Sequence, residues 1–264
     1  MKCYPLLTGL VISLTFAYPA YGDMHDGLAA AKAGDYNTAI EVFRPLADQG
    51  NAEALFYLGQ MYRRGLGVDQ DDREAIRLFG LAADQGNAKA GFNLGWMFSR
   101  GFGVSTDWPT AIRWFTMAAQ KGHADAQYNL GLIYDEGQEI SRDFAMAYKW
   151  YSLAAEQGIA GAQYYLGWFH HKGLHVKQDD QIAVKWFTLA AEQGNPSAQS
   201  NLAVMYSRGW GITTDYVEAY KWGGLGSANG NENASRVRDY VAKLMTPQEI
   251  AKAEKLIHDW QRTQ

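Results

Sequence analysis

Five aspartates, Asp71, Asp107, Asp143, Asp179 and Asp215, follow one another at intervals of 36 residues. Carboxylates repeated in this way could serve as general acids or hold calcium. His170, His171 and His175 make a second cluster, with the donor types of a metal site. A third candidate is the glycine-flanked turn Gly101-Phe102-Gly103, set behind a hydrophobic run as a phosphate-cradling loop would be. Each of the three is decided by the element that carries it.

The carrier is a repeat. Gly50, Gly86, Gly122, Gly158, Gly194 and Gly230 are spaced 36 residues apart without insertion. The fourth position after each of the first five glycines is alanine, from Ala54 to Ala198, and the eighth is leucine, from Leu58 to Leu202. A small residue follows that leucine at Gly59, Gly95, Gly131, Gly167 and Ala203. Residues spaced four apart share a helix face, so this is a first helix with a notch for a close neighbour.

The glycine turn follows, and each aspartate then opens a second apolar-periodic run. An aspartate there accepts the unpaired first-turn amides and favours the positive end of the helix dipole. The five carboxylates therefore read as helix caps. The turn itself recurs as RRGLGVDQD, SRGFGVSTD, DEGQEISRD, HKGLHVKQD and SRGWGITTD, so it reads as a connector between helices and not as a phosphate site. Only its first glycine is kept throughout. The second becomes Glu139 and His175 in the third and fourth copies, which predicts that no glycine-only backbone is needed there.

The second helix carries alanine at Ala75, Ala111, Ala147, Ala183 and Ala219, and an aromatic four residues later at Phe79, Phe115, Tyr151 and Phe187. Alanine pairs such as Ala118-Ala119 alternate small with large, so facing helices can interlock. Trp114, Trp150, Trp186 and Trp222, each preceded by Arg or Lys, read as packing elements with a cation near the ring. The glycine closing each copy is read as the left-handed stop of that helix.

Little is left for catalysis. His171 and His175 are separated by the helix end at Gly173, so they should not share a face, and no metal site is expected. No nucleophile elbow, paired-histidine zinc motif or phosphate-loop lysine occurs. The chain reads as a non-enzyme without a cofactor.

Composition agrees with a packed protein. The chain has 264 residues, 47% hydrophobic, and its net charge of -4 gives no electrostatic reason to expect nucleic acid or an anionic membrane as partner. Lys2, the apolar run from Leu6 to Ala17, and Ala20-Tyr21-Gly22 form the pattern of a cleavable signal peptide, residues 1–22, cut after Gly22. The run is too short to span a membrane, so a periplasmic or secreted protein is expected, with no membrane span after cleavage. The sole cysteine, Cys3, lies in that leader, leaving the mature chain without thiol chemistry or disulfides.

The repeat, carried by LFYLGQMYRRGLGV, EAIRLFGLAADQGNA and AIRWFTMAAQKGHADAQYNLGLIY, resembles the Sel-1-like repeat family, relatives of tetratricopeptide repeats. The resemblance implies an all-α fold, a right-handed superhelical solenoid of antiparallel helix pairs. Five copies span 50–85, 86–121, 122–157, 158–193 and 194–229. Residues 23–49 are read as an N-terminal capping helix pair of tetratricopeptide type. Residues 230–264 are read as C-terminal capping helices, the last opening at Thr246-Pro247-Gln248-Glu249 with a capping box. The consensus lapses after Trp222, in GGLGSANGNEN.

If the handedness is that of tetratricopeptide arrays, the resemblance places Phe56 and Tyr57, then Phe92, Asn93 and Trp96, then Tyr128 and Asn129 in a concave groove. Tyr164, Tyr165, Trp168 and Asn201 continue it. Rings interspersed with asparagine suit an extended peptide, although the same aromatics could instead pack between helices. The leading expectation is an exported adaptor binding a protein or peptide there. Peptidoglycan or glycan binding is the alternative, with a β-lactam-binding role, as in a cysteine-rich branch of the family, behind it. Basic residues in the groove are few, Arg63 and Lys89 against Asp125 and Asp135, which favours an internal peptide over a clamped terminal carboxylate.

Overall fold

The computed structural model describes residues 23–137 and 140–262. The leader with Cys3, and Glu139, lie outside the described residues. Among the described residues the chain forms fourteen α-helices and no strand. It divides into two compact units, one ending at Leu78 and one beginning at Phe79.

In the first unit, α1 (Met24–Ala33) and α2 (Tyr36–Asp48) are joined by Gly34 and Asp35 alone, and α2 packs on α3 (Ala52–Arg64). The α1–α2 pair lacks the long glycine turn, as its sequence implies. Phe43 of α2 is fully buried against Gly27 of α1, where any β-carbon would strike its ring. The division falls within α4 (Asp72–Asp84).

The second unit continues with α5 (Ala88–Arg100), α6 (Trp108–Gln120), α7 (Ala124–Glu136), α8 (Phe144–Glu156) and α9 (Ala160–Lys172). Then come α10 (Asp180–Glu192), α11 (Pro196–Arg208), α12 (Tyr216–Ala228), α13 (Glu232–Ala242) and α14 (Pro247–Gln261). Each helix from α5 to α12 packs on the next, and α14 packs on α12.

The notch works as its spacing predicts. A β-carbon at Gly95 would lie 2.6 Å from the Phe115 ring, and one at Gly167 would lie 2.7 Å from Phe187. These rings, and Tyr151 against Gly131, fill the seam between paired helices and are almost fully buried. The same device closes the array: the sequence GGLG lapses from consensus because Gly223 meets Arg238 and Ala234 of α13, and Gly224 meets Ile257 of α14.

All five aspartates cap. Asp107 Oδ1 accepts the Thr110 amide at 3.1 Å, and Asp71 Oδ1 accepts the Arg73 and Glu74 amides. Hydrogen bonds from the Thr110 side chain and amide hold the Asp107 carboxyl below its usual range. Gly65, Gly101, Gly137, Gly173 and Gly209 end the first helices in left-handed geometry. The second turn position corrects the expectation: His175 keeps the left-handed backbone, φ 61°, where Gly67, Gly103 and Gly211 have φ 71°, 70° and 67°. The exchange changes the residue and leaves the conformation, histidine being among the residues that tolerate that region best.

A polar ladder also recurs. Buried Gln127, Gln163 and Gln199 donate to the carbonyls of Ala119, Ala155 and Ala191 at 3.1, 3.3 and 3.1 Å. Their Oε1 atoms accept from Gln157, Gln193 and Asn229 at 2.7, 2.8 and 3.3 Å. Each glutamine thus answers a carbonyl at the end of one second helix and a side chain from the next, which pins successive repeats in register.

Candidate functional site

The aromatics at the sixth position of each first helix pack on the paired second helix. Phe92 lies 5.9 Å from Phe115, Tyr128 6.1 Å from Tyr151, and Tyr164 5.9 Å from Phe187. Phe92 is further stacked on His123 at 4.6 Å. In the first unit, Phe56 is only 4% exposed, so it is removed from the ligand-facing set. Tyr57 stacks on Phe43 at 5.6 Å and remains half-buried.

Neighbouring polar positions are partly committed. Asn93 and Asn129 each donate to a carbonyl of their own helix, Lys89 O at 2.8 Å and Asp125 O at 2.7 Å. Their amide nitrogens are turned back on the helix, which weakens the picture of free two-sided peptide clamps. Tyr165 lies flat on Tyr151 at 4.7 Å, and burial pushes its hydroxyl up to about 12. Tyr151 donates to Asp135 at 3.4 Å, and burial raises the Asp135 carboxyl above its usual range. Asn201 is hydrogen-bonded to Tyr164.

The histidines go three ways. His170 is buried, its Nε2 3.1 Å from the Tyr148 hydroxyl, and burial lowers its pKa. His171 Nδ1 meets Asp180 Oδ1 at 2.7 Å, while His175 lies past the helix end, its ring 5.9 Å from Tyr148. Among the described residues, the single group spaced to hold a metal is Asp23, His25 and Asp26, where Asp23 and Asp26 already form the capping box of α1.

Trp96 and Trp168 occupy the same repeat position with different company. Trp96 is stacked on Phe102 of its own turn at 4.9 Å and 12°. Trp168 instead carries the Lys172 ammonium 4.6 Å over its ring, with His171 6.1 Å away. His171 is stacked in turn on Trp210 at 5.5 Å, and the Arg208 guanidinium lies 4.8 Å over Trp210.

These groups enclose a cleft in two connected parts. The inner part, about 190 Å³, is lined by Trp168, His171, Lys172, Asn201 and Trp210, with Phe187, Val204 and Met205 as its apolar surface. The outer part, about 510 Å³, shares Val204 and Trp210 and adds Arg208, Arg236, Val237 and Tyr240. Of the groove residues named from sequence, Trp168 and Asn201 meet here. Trp210 belongs to the turn that reads as a mere connector, and its exposed ring, like that of Phe102, shows that the turn also supplies surface. Its signal was a tryptophan where two other copies have Leu66 and Leu174 and another has Phe102. Tyr240 and Arg236, on α13, carry no repeat signal at all.

The family model described as Sel1 repeat matches residues 52–87, 88–123, 124–159, 160–195 and 196–231. No curated protein matches the chain. The crystal structure of a Sel1 repeat protein from Oxalobacter formigenes is 32% identical, with a TM-score of 0.77, over 87% of this chain and 96% of that one. The structure of c5321, described as a protective antigen present in uropathogenic Escherichia coli strains displaying an SLR fold, is 28% identical, with a TM-score of 0.60. That similarity covers 89% of this chain and 59% of that one.

Proposed function

Because this chain belongs to the Sel1 repeat family, a scaffold fold commonly used for protein interaction, we propose that it is a non-catalytic adaptor that holds a partner protein. Its contact surface is the first-helix side of the second unit, anchored in the cleft between Trp168 and Trp210. The observation that carries this reading is the cleft itself. Two tryptophans, a histidine and flanking cations converge there on an open apolar surface, whereas the sixth-position rings are spent on packing. Exposed Trp and Arg around a hydrophobic pocket are the residue types that dominate protein interfaces.

We place the protein outside the cytoplasm, in the periplasm or secreted, on the strength of the leader pattern. A cut after Gly22 leaves Asp23, the N-cap of α1, intact. N-terminal sequencing of the mature protein checks the cut, and a chain retaining Met1 in the envelope fraction overturns it.

The adaptor reading is tested by affinity purification from an envelope fraction with the wild-type chain and with Trp168→Ala/Trp210→Ala. The expected result is a partner recovered by the first and lost by the second, at matching helicity. Equal recovery by both places the contact elsewhere and removes the cleft from the reading.

A further inference from the structure

The cleft carries more sign than the chain around it. Its lining contains Lys172, Arg208 and Arg236 and no carboxylate, in a protein whose net charge is -4. The nearby acids are already engaged. Asp180 is bonded to His171 at 2.7 Å, and Glu232 lies 3.5 Å from Arg236 as an exposed pair of the kind that solvent screens. Lys172 and Arg208 have aromatic faces as their neighbours, an arrangement that holds a cation in place while leaving its donors available. The lining also includes Val204, Val237 and the rings of Trp210 and Tyr240, the last 60% exposed.

Resting on the adaptor reading, we infer that this cleft selects an acidic peptide segment, one bulky apolar or aromatic side chain flanked by carboxylates. The apolar side chain sits on Trp210 and Val237, and the carboxylates meet Arg208 and Arg236 on one side and Lys172 on the other. Arginine offers a planar fork that matches a carboxylate with two parallel hydrogen bonds. The groove read from sequence is poor in bases because they stand elsewhere, in the last turn of the first helices and on α13.

The test is selection of a displayed random twelve-residue peptide library on the mature chain. Fluorescence anisotropy of a recovered peptide and of its counterpart with each Asp and Glu changed to Asn and Gln then follows. The expected result is enrichment of Asp and Glu beside an aromatic or leucine, with the amide counterpart at least about tenfold weaker. Arg208→Gln/Arg236→Gln removes that difference at unchanged melting temperature, and raising the salt weakens the acidic peptide alone. If recovered peptides lack acid enrichment yet Trp168→Ala still weakens them, the charge selection is overturned and the adaptor reading stands. If no recovered peptide is weakened by Trp168→Ala, or if polygalacturonate binds in their place and the arginine variant loses it, both are overturned.

Discussion

Trp96 and Trp168 stand at one position of two repeats, each preceded by glycine and opposed across its notch by a phenylalanine ring, yet they present different surfaces. The turn after α5 supplies Phe102, which lies flat on Trp96. The corresponding residue after α9 is Leu174, and Trp168 faces Lys172 and His171 instead. A repeat therefore fixes where a side chain starts, while one exchange in the adjoining turn decides which neighbours its ring meets.

The layer beneath the two tryptophans is common to both, so it should break in the same way. Gly95→Ala and Gly167→Ala drive a β-carbon into Phe115 and Phe187 respectively. Each should lower stability by about 3 kcal/mol, the upper end for an overpacked core. Urea unfolding of the two variants checks this; a large loss at one and none at the other would mean that the copies differ in their cores as well as on their surfaces.

Binding should separate what stability does not. Trp168→Ala is expected to weaken a captured peptide by about 2 kcal/mol, roughly thirtyfold, as the loss of an interface anchor does. Trp96→Ala should leave affinity within about 0.5 kcal/mol, since its ring is covered by Phe102. Equal losses in anisotropy titrations would restore a groove running through both repeats and dissolve the contrast.

The backbone of this protein was legible from spacing because a solenoid writes every local rule five times. Asp107 and Asp179 announce caps, Gly101 and Gly173 announce helix ends, and Thr246 with Glu249 announces the final helix, all as found. Gln127, Gln163 and Gln199 are just as periodic, but spacing alone gives a polar side chain no buried partner. Its burial becomes intelligible once the carbonyl of the preceding repeat stands within hydrogen-bond reach. His175 misled because residue identity was taken for conformation. The cleft was half legible: Trp168 and Asn201 belong to the repeat pattern, whereas Arg236 and Tyr240 join them only through the packing of α13 on α11.

That ladder gives the next smaller effect. Gln163→Leu removes its bonds to the Ala155 carbonyl and from the Gln193 amide, a cost of about 1 kcal/mol, since that carbonyl keeps the Gly158 amide and Gln193 keeps the Leu189 carbonyl. The double variant Gln163→Leu/Gln193→Leu should add little to it, because the bond between the two side chains is already gone. A double-mutant cycle in urea reads the coupling, and strictly additive losses would mean that the two side chains do not act as a unit.

The smallest effect concerns a position where copies diverge in chemistry, as the tryptophans do in their neighbours. Asn87 and Asn195 cap α5 and α11 through their side-chain oxygens, Ile159 offers α9 no side-chain cap, and His123 caps α7 through Nδ1, 3.4 Å from the Ala126 amide. Nδ1 accepts that bond only while unprotonated. Burial lowers the His123 pKa below 6.5, with Lys89 adding to the lowering and Asp125 opposing it. A lowered folded pKa means that the unfolded chain binds the proton more readily. The cap's contribution is therefore complete above 6.5 and declines as the pH falls through 6.5 toward the folded value. His123→Asn should preserve the cap without its titration. The gap between wild type and variant should then widen in the variant's favour between about pH 7.5 and pH 5, by less than about 1 kcal/mol. Parallel urea midpoints that keep a constant gap across that range would show that the ring's place beneath Phe92, and not its hydrogen bond, is what α7 takes from His123.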